Sequence, residues 1–304
     1  MKILLITPVK LHTWLPQHLW RKAIIKLGHK VKVFPLSSRF LKPLTSWRLA
    51  QAISAWQPDE VFFSAGKDAV WPIKNTIFFS GVPFSMLSQH EQAIGLQAKL
   101  VITNDPVHAQ AWLEKGARQA ICLPISAADP SLHFPTRPVK KYQADVVFIG
   151  GLSPDRQQLF LKLLTAGVSL KLFGTIPEGF LSPQLQPIYF GPVWGKAVSQ
   201  IYSSCKIALN PLPSHMPTGG NLRTFEIPAC GTLQLASRTN PAWFKLDQEI
   251  VIYSHFKDLT AKINYYLNHP RQRQKIAQAG YRRTYHEHTY QKHFALLFKT
   301  QLAS

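Results

Sequence analysis

Short apolar runs alternate with amphipathic helical stretches along all 304 residues, and this alternation constrains the fold more than any other feature. Apolar runs of strand length are typical of parallel strands buried on both faces, and the stretches between them fit helices that cover such a sheet. The pattern runs twice, interrupted at 129–141 (DPSLHFPTRPVKK), which is rich in proline and charge. The sequence therefore predicts two doubly wound α/β domains joined by a linker. A chain of this length can bury two full cores.

The predicted elements are as follows. In the first half, strands are predicted at 2–7, 30–34, 60–64, 76–79, 100–103 and 119–123, with helices at 16–27, 46–55 and 106–115. In the second half, strands are predicted at 145–150, 169–173, 187–189, 206–210, 232–236 and 249–253. Helices there are predicted at 155–166, 195–203, 222–230, 256–268 and 270–285, with a last one from 289. Two such domains offer a crevice at the carboxyl ends of their strands, where two substrates can meet.

The charge balance indicates an anionic partner, because 35 Lys and Arg face only 15 Asp and Glu, and the first 58 residues hold ten basic residues and no acidic one. No zinc finger, helix-turn-helix or aromatic RNA-binding motif accompanies this charge, so nucleic acid is not the expected partner. The basic residues alternate with large apolar ones, a mix that suits an anionic membrane surface. Amphipathic helices with one buried face, or a basic solvated surface, are the alternatives. The apolar residues concerned are Trp14, Leu15, Leu19, Trp20, Phe40, Leu41, Leu44 and Trp47.

The cysteines and apolar runs bear on the compartment. Cys122, Cys205 and Cys230 lack metal-ligand spacing and are expected as buried free thiols, which fits a reducing cytoplasm. The first residues, MKILLITPVK, are apolar for too short a stretch to form a signal peptide, and no run approaches the roughly 18 residues of a membrane span. The expected location is the cytoplasm, either free or peripheral at the inner face of the membrane.

The segment 219–231, GGNLRTFEIPACG, carries the strongest functional signal. Two glycines allow close backbone approach to a ligand, and Asn221, Arg223 and Glu226 follow in the turn and first turns of a predicted helix. Unpaired N–H groups at a helix start favour an anion. The predicted ligand is a nucleotide diphosphate.

The second half also resembles a known family. The order of GGNLRTFE, ACGT, SRTNPAWF and RQKIAQAGYRRTYHEHTY is similar to that of GT-B glycosyltransferases of the family-4 type, in the CgeB-like branch. The resemblance covers about 145–293 well and the first half loosely, through 102–135. It implies a GT-B fold, with two Rossmann-like doubly wound domains facing a central cleft. The domains would be 1–138, which binds the acceptor, and 139–288, which binds the nucleotide-sugar, with 289–304 as a helix crossing back to the first.

The resemblance also implies roles for single residues. Glu226 would accept hydrogen bonds from the two ribose hydroxyls, and Arg223 with the N–H groups of the glycine turn would neutralise the diphosphate. Gly150 and Gly151 match the place where the family brings its backbone near the donor, and Tyr189, Gly191 and Val193 match the loop that holds the nucleobase. The full set of expected donor-binding residues is Gly150, Gly151, Arg156, Tyr189, Val193, Asn210, Thr218, Gly219, Gly220, Asn221, Arg223 and Glu226.

The implied reaction transfers a sugar from the nucleotide-sugar to an acceptor hydroxyl, on a glycolipid, polysaccharide or other envelope glycan. GT-B enzymes stabilise the departing diphosphate with protein cations and dipoles, so neither a metal nor a cofactor is expected. His90 with Glu91, after the fourth strand, and His12, after the first, are the candidate catalytic bases. Asp105 and Lys67 follow strands at the same edge, although helix capping explains Asp105 equally well.

One departure from the family pattern keeps two alternatives open. Family-4 enzymes carry a second glutamate upstream of the ribose-binding one, whereas this chain has Met216, Pro217 and Thr218 there and no acid between Glu178 and Glu226. A nucleotide-sugar-binding protein of envelope assembly without catalysis is one alternative. A GT-B nucleotide-sugar epimerase is the other.

Overall fold

The computed structural model describes residues 1–7, 12–36, 42–64, 76–177 and 179–301. The chain divides into two compact units. The first contains Met1–Ser126, Ser214–Gly220 and the chain from Tyr290 onward, and the second contains Ala127–Pro213 and Asn221–Thr289. Each unit is built on one parallel sheet, as the sequence predicts.

The sheet of the first unit has six described strands in the order β2-β1-β3-β4-β5-β6. Its strands are β1 (Lys2–Thr7), β2 (Lys30–Pro35), β3 (Glu60–Ser64), β4 (Thr76–Ser80), β5 (Leu100–Thr103) and β6 (Ala120–Cys122). The helices between them are α1 (Pro16–Lys26), α2 (Lys42–Trp56), α3 (Gln89–Gln97) and α4 (Pro106–Glu114). Because successive strand residues point to opposite faces, Leu4 and Phe63 share a core cluster on one face. On the other face, Phe62 meets Phe294, which in turn contacts Trp20 of α1.

Helix α3 is missing from the sequence-based prediction. Ser88 caps it in a capping box, accepting from the N–H of Glu91 while the Glu91 carboxylate accepts from the N–H of Ser88. Gly95 interrupts its apolar pattern because the Trp112 ring packs directly on the helix backbone, so a Cβ at Gly95 would lie 2.2 Å from that ring. Helices are predicted from regularly spaced apolar side chains. Because Gly95 has no side chain at a position that faces the core, this helix lacks that regular spacing.

The sheet of the second unit has five strands in the order β11-β10-β9-β7-β8. Its strands are β7 (Ala144–Ile149), β8 (Leu170–Phe173), β9 (Cys205–Asn210), β10 (Leu233–Ala236) and β11 (Val251–Ile252). The helices are α5 (Pro154–Thr165), α6 (Lys196–Ser203), α7 (Leu222–Ala229), α8 (Phe256–Asn268) and α9 (Pro270–Glu287). The last helix, α10 (Tyr290–Gln301), belongs to the first unit and packs on α1.

The strand order of the second unit reverses at β7. Strand β8 lies on one side of β7 and β9 on the other, so the connections leave β7 in opposite directions. Ligands of doubly wound sheets bind outside the carboxyl ends of the strands at such a switch point. In this unit those ends are Ile149 of β7 and Asn210 of β9.

Two predictions about local structure are wrong. The predicted strand at 187–189 is instead the end of a 3₁₀ helix, Pro183–Ile188, and Tyr189 makes only an isolated bridge to Leu172. The predicted linker, 129–141, belongs to the second unit, whose boundary lies at Ser126–Ala127 rather than at 138–139. Its backbone is tied down, because the N–H groups of Thr136 and Val139 donate to the hydroxyls of Ser203 and Ser204 at 3.0 and 2.9 Å.

Candidate functional site

Helix α7 begins at the motif that the sequence singles out. Asn221 is its N-cap, accepting from the N–H of Thr224, while the Thr224 hydroxyl accepts from the N–H of Asn221 at 3.2 Å. This reciprocal cap fixes the first turn, so Arg223 and Glu226, three residues apart, project from neighbouring positions of the helix.

Arg223 reaches back to the end of β7. Its Nε donates to the carbonyl of Ile149, and its guanidinium lies 5.9 Å from the centre of the Phe148 ring. A Cβ at Gly150 would lie 2.7 Å from Nε and Nη2 of Arg223. Gly150 is therefore glycine because the guanidinium occupies the space of its side chain.

Arg156, near the start of α5, lies beside Arg223. Its guanidinium donates to the carbonyls of Pro211 and Gly151, with distances of 2.8 and 2.9 Å from Nη2 and Nη1, and lies 5.2 Å from the centre of the Phe148 ring. Burial and the nearby charge of Arg223 lower the pKa of Arg156 from 12.5 to about 10, so Arg156 is still cationic at neutral pH. Among the carboxylates that the structure describes, none forms an ion pair with either guanidinium.

Two partly buried cations lie side by side at the switch point of the sheet. Backbone carbonyls orient both guanidiniums without neutralising them, which leaves their charge for a ligand. The structure thus brings together four of the predicted donor-binding residues, namely Gly150, Gly151, Arg156 and Arg223.

Glu226 has a partner that the sequence analysis missed. The carboxylate of Glu226 lies 3.4 Å from Nε2 of His133, a buried residue of the segment predicted as a linker. The hydroxyl of Tyr285 donates to the His133 carbonyl at 2.7 Å. With 16% of its side chain exposed, Glu226 keeps access to a ligand. A histidine in a proline-rich stretch gives no periodic signal, so nothing in the sequence pointed to this contact.

The glycine turn is held by a carboxylate rather than left open for a phosphate. Asp105 accepts from the N–H groups of Thr218 and Gly219 at 2.9 and 2.6 Å, from the Thr218 hydroxyl at 3.0 Å, and from the N–H of Val107, which it caps at the start of α4. A Cβ at Gly219 would lie 2.2 Å from the carbonyl oxygen of Asn104. The turn therefore needs glycine for close packing against 104–105.

These contacts correct the prediction that the turn's N–H groups compensate a diphosphate. The N–H of Gly219 donates to Asp105, that of Gly220 to the carbonyl of Asn104 at 3.3 Å, and that of Asn221 to Thr224. Thr218, also a predicted donor-binding residue, uses both its N–H and its hydroxyl on Asp105. In this arrangement the backbone N–H groups of 218–221 are all used within the protein.

Asn210 lies at the end of β9 and is fully buried. Its amide nitrogen donates to the Thr224 hydroxyl and to Gln234 Oε1, both at 3.3 Å, and its oxygen accepts from Asn221 at 3.1 Å. The side chain predicted to contact the donor therefore ties β9 and β10 to the start of α7.

The loop predicted to hold the nucleobase is hydrogen-bonded to Gly174, which follows β8. Tyr189 donates its hydroxyl to the Gly174 carbonyl at 2.8 Å, and the N–H of Gly174 donates to the carbonyl of Gly191 at 2.9 Å. Val193 packs against the core cluster next to α6. The phenol of Tyr189 is thus used internally, and so is much of the main chain, because the N–H groups of Tyr189 and Phe190 donate to the carbonyls of Gln186 and Leu172.

The predicted catalytic bases lie in the first unit. Glu91 is buried and its carboxylate accepts from the N–H and hydroxyl of Ser88, which makes it a capping residue and argues against a role as base. His90, beside it, is exposed. His12 is exposed and its ring stacks on Trp14 at 4.9 Å. Lys67 lies outside the described residues.

The apolar residues predicted to contact a membrane do not share one environment. Leu19 and Trp20 belong to the core, and Nε1 of Trp20 donates to the carbonyl of Ile125 at 2.9 Å. Trp14 and Trp47 are 40% and 60% exposed. The side chains of Phe40, Leu41 and Leu44 lie outside the described part of the chain.

The described residues contain neither a helix that could span a membrane nor a cluster of metal-binding side chains. None of the helices found there has the length and apolar character needed to cross a bilayer. No group of three or more His, Cys, Asp or Glu side chains in the same part of the chain is placed to hold a metal ion.

Comparisons with known proteins agree with this architecture. Residues 156–299 match the family model Glyco_trans_1_2, described as glycosyl transferase-like. The spore protein CgeB of Bacillus subtilis (strain 168) is 26% identical over 159 residues, which cover 47% of this chain and 49% of CgeB, so the match spans about half the length of that relative.

The whole chain also resembles solved structures. The crystal structure of Anabaena HepE in complex with UDP and glucose has a TM-score of 0.73 and 14% identity, and the match covers 100% of both chains. A glycosyltransferase from Rickettsia africae has a TM-score of 0.70 and 12% identity, over 98% of this chain and 97% of that one. At such identities the likeness establishes the fold. The chain therefore has the GT-B fold, its residues 156–299 are similar to the glycosyl transferase-like family, and about half of it is similar to CgeB.

Proposed function

We propose that the chain is a glycosyltransferase that binds a nucleoside-diphosphate sugar in its second unit and transfers the sugar to an acceptor hydroxyl. One observation carries this proposal. Arg156 and Arg223 lie together on Phe148 at the switch point of the sheet, with no carboxylate of the described residues to neutralise them, and Glu226 follows on the same helix as Arg223.

The chemistry of the reaction needs such a site. Cleaving the bond between the sugar and the diphosphate leaves negative charge on the departing oxygen, and prearranged cations stabilise that charge as it develops. Two guanidiniums can bind the diphosphate with paired N–H groups, and a carboxylate is the natural acceptor for two neighbouring ribose hydroxyls. The proposed transfer therefore proceeds without a metal, and the proposed donor sugar is a hexose.

The relatives suggest which donor to try first. HepE was crystallised with UDP and glucose, and UDP is therefore the first nucleotide to test. The proposed acceptor is a glycan or a lipid-linked glycan of the cell envelope.

One observation favours a second candidate, a nucleotide-sugar-binding protein without catalysis. Glu91, one of the predicted bases, is occupied by its helix cap, and the sequence from 179 to 225 contains no acidic residue. Such a protein would bind the donor and release no product.

The test compares binding with turnover. A thermal-shift screen of UDP, GDP, ADP and dTDP, followed by calorimetry, identifies the nucleotide, because a ligand stabilises the folded state in proportion to its occupancy. Arg223→Gln and Arg156→Gln each remove a charge-assisted hydrogen bond of about 1.5–3 kcal/mol, and we expect each to weaken nucleotide binding by about tenfold or more.

Arg273→Gln is the matched control, because Arg273 also donates to backbone carbonyls but lies on α9. Sugar release from the donor, measured with and without EDTA, then separates the candidates. Turnover that survives EDTA supports the metal-independent transferase, binding without turnover for every donor supports the second candidate, and no nucleotide binding at all refutes both.

We also propose that the basic first unit docks on an anionic membrane. The support is the run of ten basic residues without an acidic one before Asp59, together with the exposed rings of Trp14 and Trp47. The protein should sediment with vesicles that contain anionic lipid, and salt should release it because the attraction is screened. Trp47→Ala should weaken the association. Equal sedimentation with neutral and anionic vesicles would contradict the proposal.

A further inference from the structure

The contact between Glu226 and His133 involves two residues that the fold holds firmly. Glu226 stands on α7, whose first turn is fixed by the Asn221 cap. His133 is 6% exposed, its own N–H donates to the carbonyl of Asp129 at 2.8 Å, and its carbonyl accepts from Tyr285. The carboxylate of Asp129 in turn accepts from the N–H and the hydroxyl of Ser131 at 2.7 and 2.6 Å. The imidazole therefore sits on a rigid turn.

The hydrogen bonds of the ring determine where its proton lies. The N–H of Asp129 donates to Nδ1 of His133 at 3.0 Å, so Nδ1 acts as an acceptor and carries no proton. The proton of the neutral ring is then on Nε2, the atom that lies 3.4 Å from Oε1 of Glu226. Nε2 of His133 thus lies within ion-pair distance of one oxygen of the carboxylate.

The groups around Glu226 leave its second oxygen for a ligand. Tyr202 and Cys230 lie near enough for the charge of Glu226 to act on them, and burial is the main cause that raises the pKa of both, so they stay neutral. Among the ion pairs of the described residues, that with His133 is the one that Glu226 makes, and it involves Oε1 rather than Oε2.

We infer that His133 is the positioning residue for ribose recognition: its Nε2–H fixes Oε1 of Glu226 so that the carboxylate presents its remaining acceptor sites to the vicinal hydroxyls of the donor's ribose. This inference rests on the proposed function, because it concerns the same nucleotide site. It assigns a role to His133, a residue of the segment 129–141 that the sequence predicts as a linker. A carboxylate without that contact can rotate, and it then loses its preference for ribose over deoxyribose.

The test measures discrimination rather than affinity alone. Calorimetry compares UDP with 2′-deoxy-UDP, or the corresponding pair for the base that the wild type binds. We expect the wild type to prefer the ribonucleotide by about tenfold or more, the effect of one hydrogen bond to a charged group. His133→Asn can keep an acceptor for the N–H of Asp129 but cannot reach Glu226, so its preference should fall close to one. His133→Gln places an amide N–H near the position of Nε2 and should restore most of the preference.

Two further variants separate positioning from general damage. In a Glu226→Gln background, adding His133→Asn should change the preference no further, because the carboxylate through which His133 acts is already gone. Tyr285→Phe removes the support of the His133 carbonyl but leaves the imidazole, and it should retain the preference.

The outcomes are distinguishable. If the wild type binds no nucleoside diphosphate, the proposed function fails and the inference fails with it. If the wild type binds and prefers the ribonucleotide while His133→Asn, folded by its thermal transition, keeps the same preference, the inference alone is overturned. A loss in His133→Asn that is restored in His133→Gln supports it.

Discussion

Replacing Gly150 by alanine would test whether nucleotide binding depends on the position of the Arg223 guanidinium beside Gly150. The new methyl group would lie 2.7 Å from Nε and Nη2 of Arg223 and 2.8 Å from its Cζ, closer than the Cβ atoms of real side chains come to another heavy atom. The backbone at Gly150 is outside the left-handed region, so alanine itself can adopt the conformation. The strain is relieved most easily by moving the flexible end of Arg223 away from β7.

The size of the effect follows from the contacts that Arg223 would lose. Its hydrogen bond to the Ile149 carbonyl is charge-assisted and contributes about 1.5–3 kcal/mol. Its position over Phe148 adds about 0.5–1 kcal/mol. Alanine restricts the unfolded chain, which offsets about 0.4–1 kcal/mol. The free energy of unfolding should therefore fall by about 1–3 kcal/mol, and a displaced guanidinium should weaken nucleotide binding by about tenfold or more.

Urea unfolding and calorimetric titration with UDP measure the two quantities on the same preparation. Gly81→Ala is the matched control, because its methyl group would meet Ile125 and Asn104 at 3.6 and 3.7 Å, which is ordinary contact. The reasoning is refuted if Gly150→Ala binds UDP as the wild type does while Arg223→Gln binds it weakly. That result would mean that Arg223 contacts the nucleotide from a position that Gly150 does not limit.

Two other predictions concern stability. Asp105→Asn replaces two acceptor oxygens by one, so at least one of the N–H groups of Val107, Thr218 and Gly219 loses its partner. Unfolding should become easier by about 1–3 kcal/mol and amide exchange at that N–H faster, and an unchanged urea midpoint would contradict this. Burial raises the pKa of Cys122, Cys205 and Cys230 from 9.0 to about 12. Between pH 9 and 12 the unfolded chain releases thiol protons that the native chain keeps. The free energy of unfolding should therefore decline as the pH rises above about 9. Rapid reaction of the native thiols with a disulfide reagent at pH 8 would contradict this, because it would show the thiols to be exposed.

The strands were the most predictable part of the fold. A parallel strand covered on both faces needs apolar residues along its length, and the sequences of β1 and β3 show such runs. The predicted bounds of both strands are confirmed. Helix α3 was missed because Gly95 makes room for Trp112, a residue on another helix. The capping box at Ser88 was the signal that could have revealed it.

The candidate site was predictable only as far as its local motif. The pattern GGNLRTFE predicts a helix with Arg223 and Glu226 on it, and α7 confirms the helix. The partners of these residues come from far along the chain, since Ile149 is 74 residues from Arg223 and Asp105 is 114 residues from Gly219. No spacing rule in a single sequence relates such positions, and the glycine turn was accordingly assigned to a ligand when its packing partner is a carboxylate.

The way in which the two arginines are held bears on what the site can do. An arginine paired with a carboxylate has its charge largely compensated, and an anion that approaches it must compete with that partner. Arg156 and Arg223 are oriented by carbonyl oxygens of 149, 151 and 211, which supply hydrogen bonds without a net charge. Burial, and after it the nearby charge of Arg223, lowers the pKa of Arg156, so holding both cations here costs the folded protein free energy. Under the proposed function, a diphosphate bound beside both guanidiniums gains from both charges at once and offsets part of that cost.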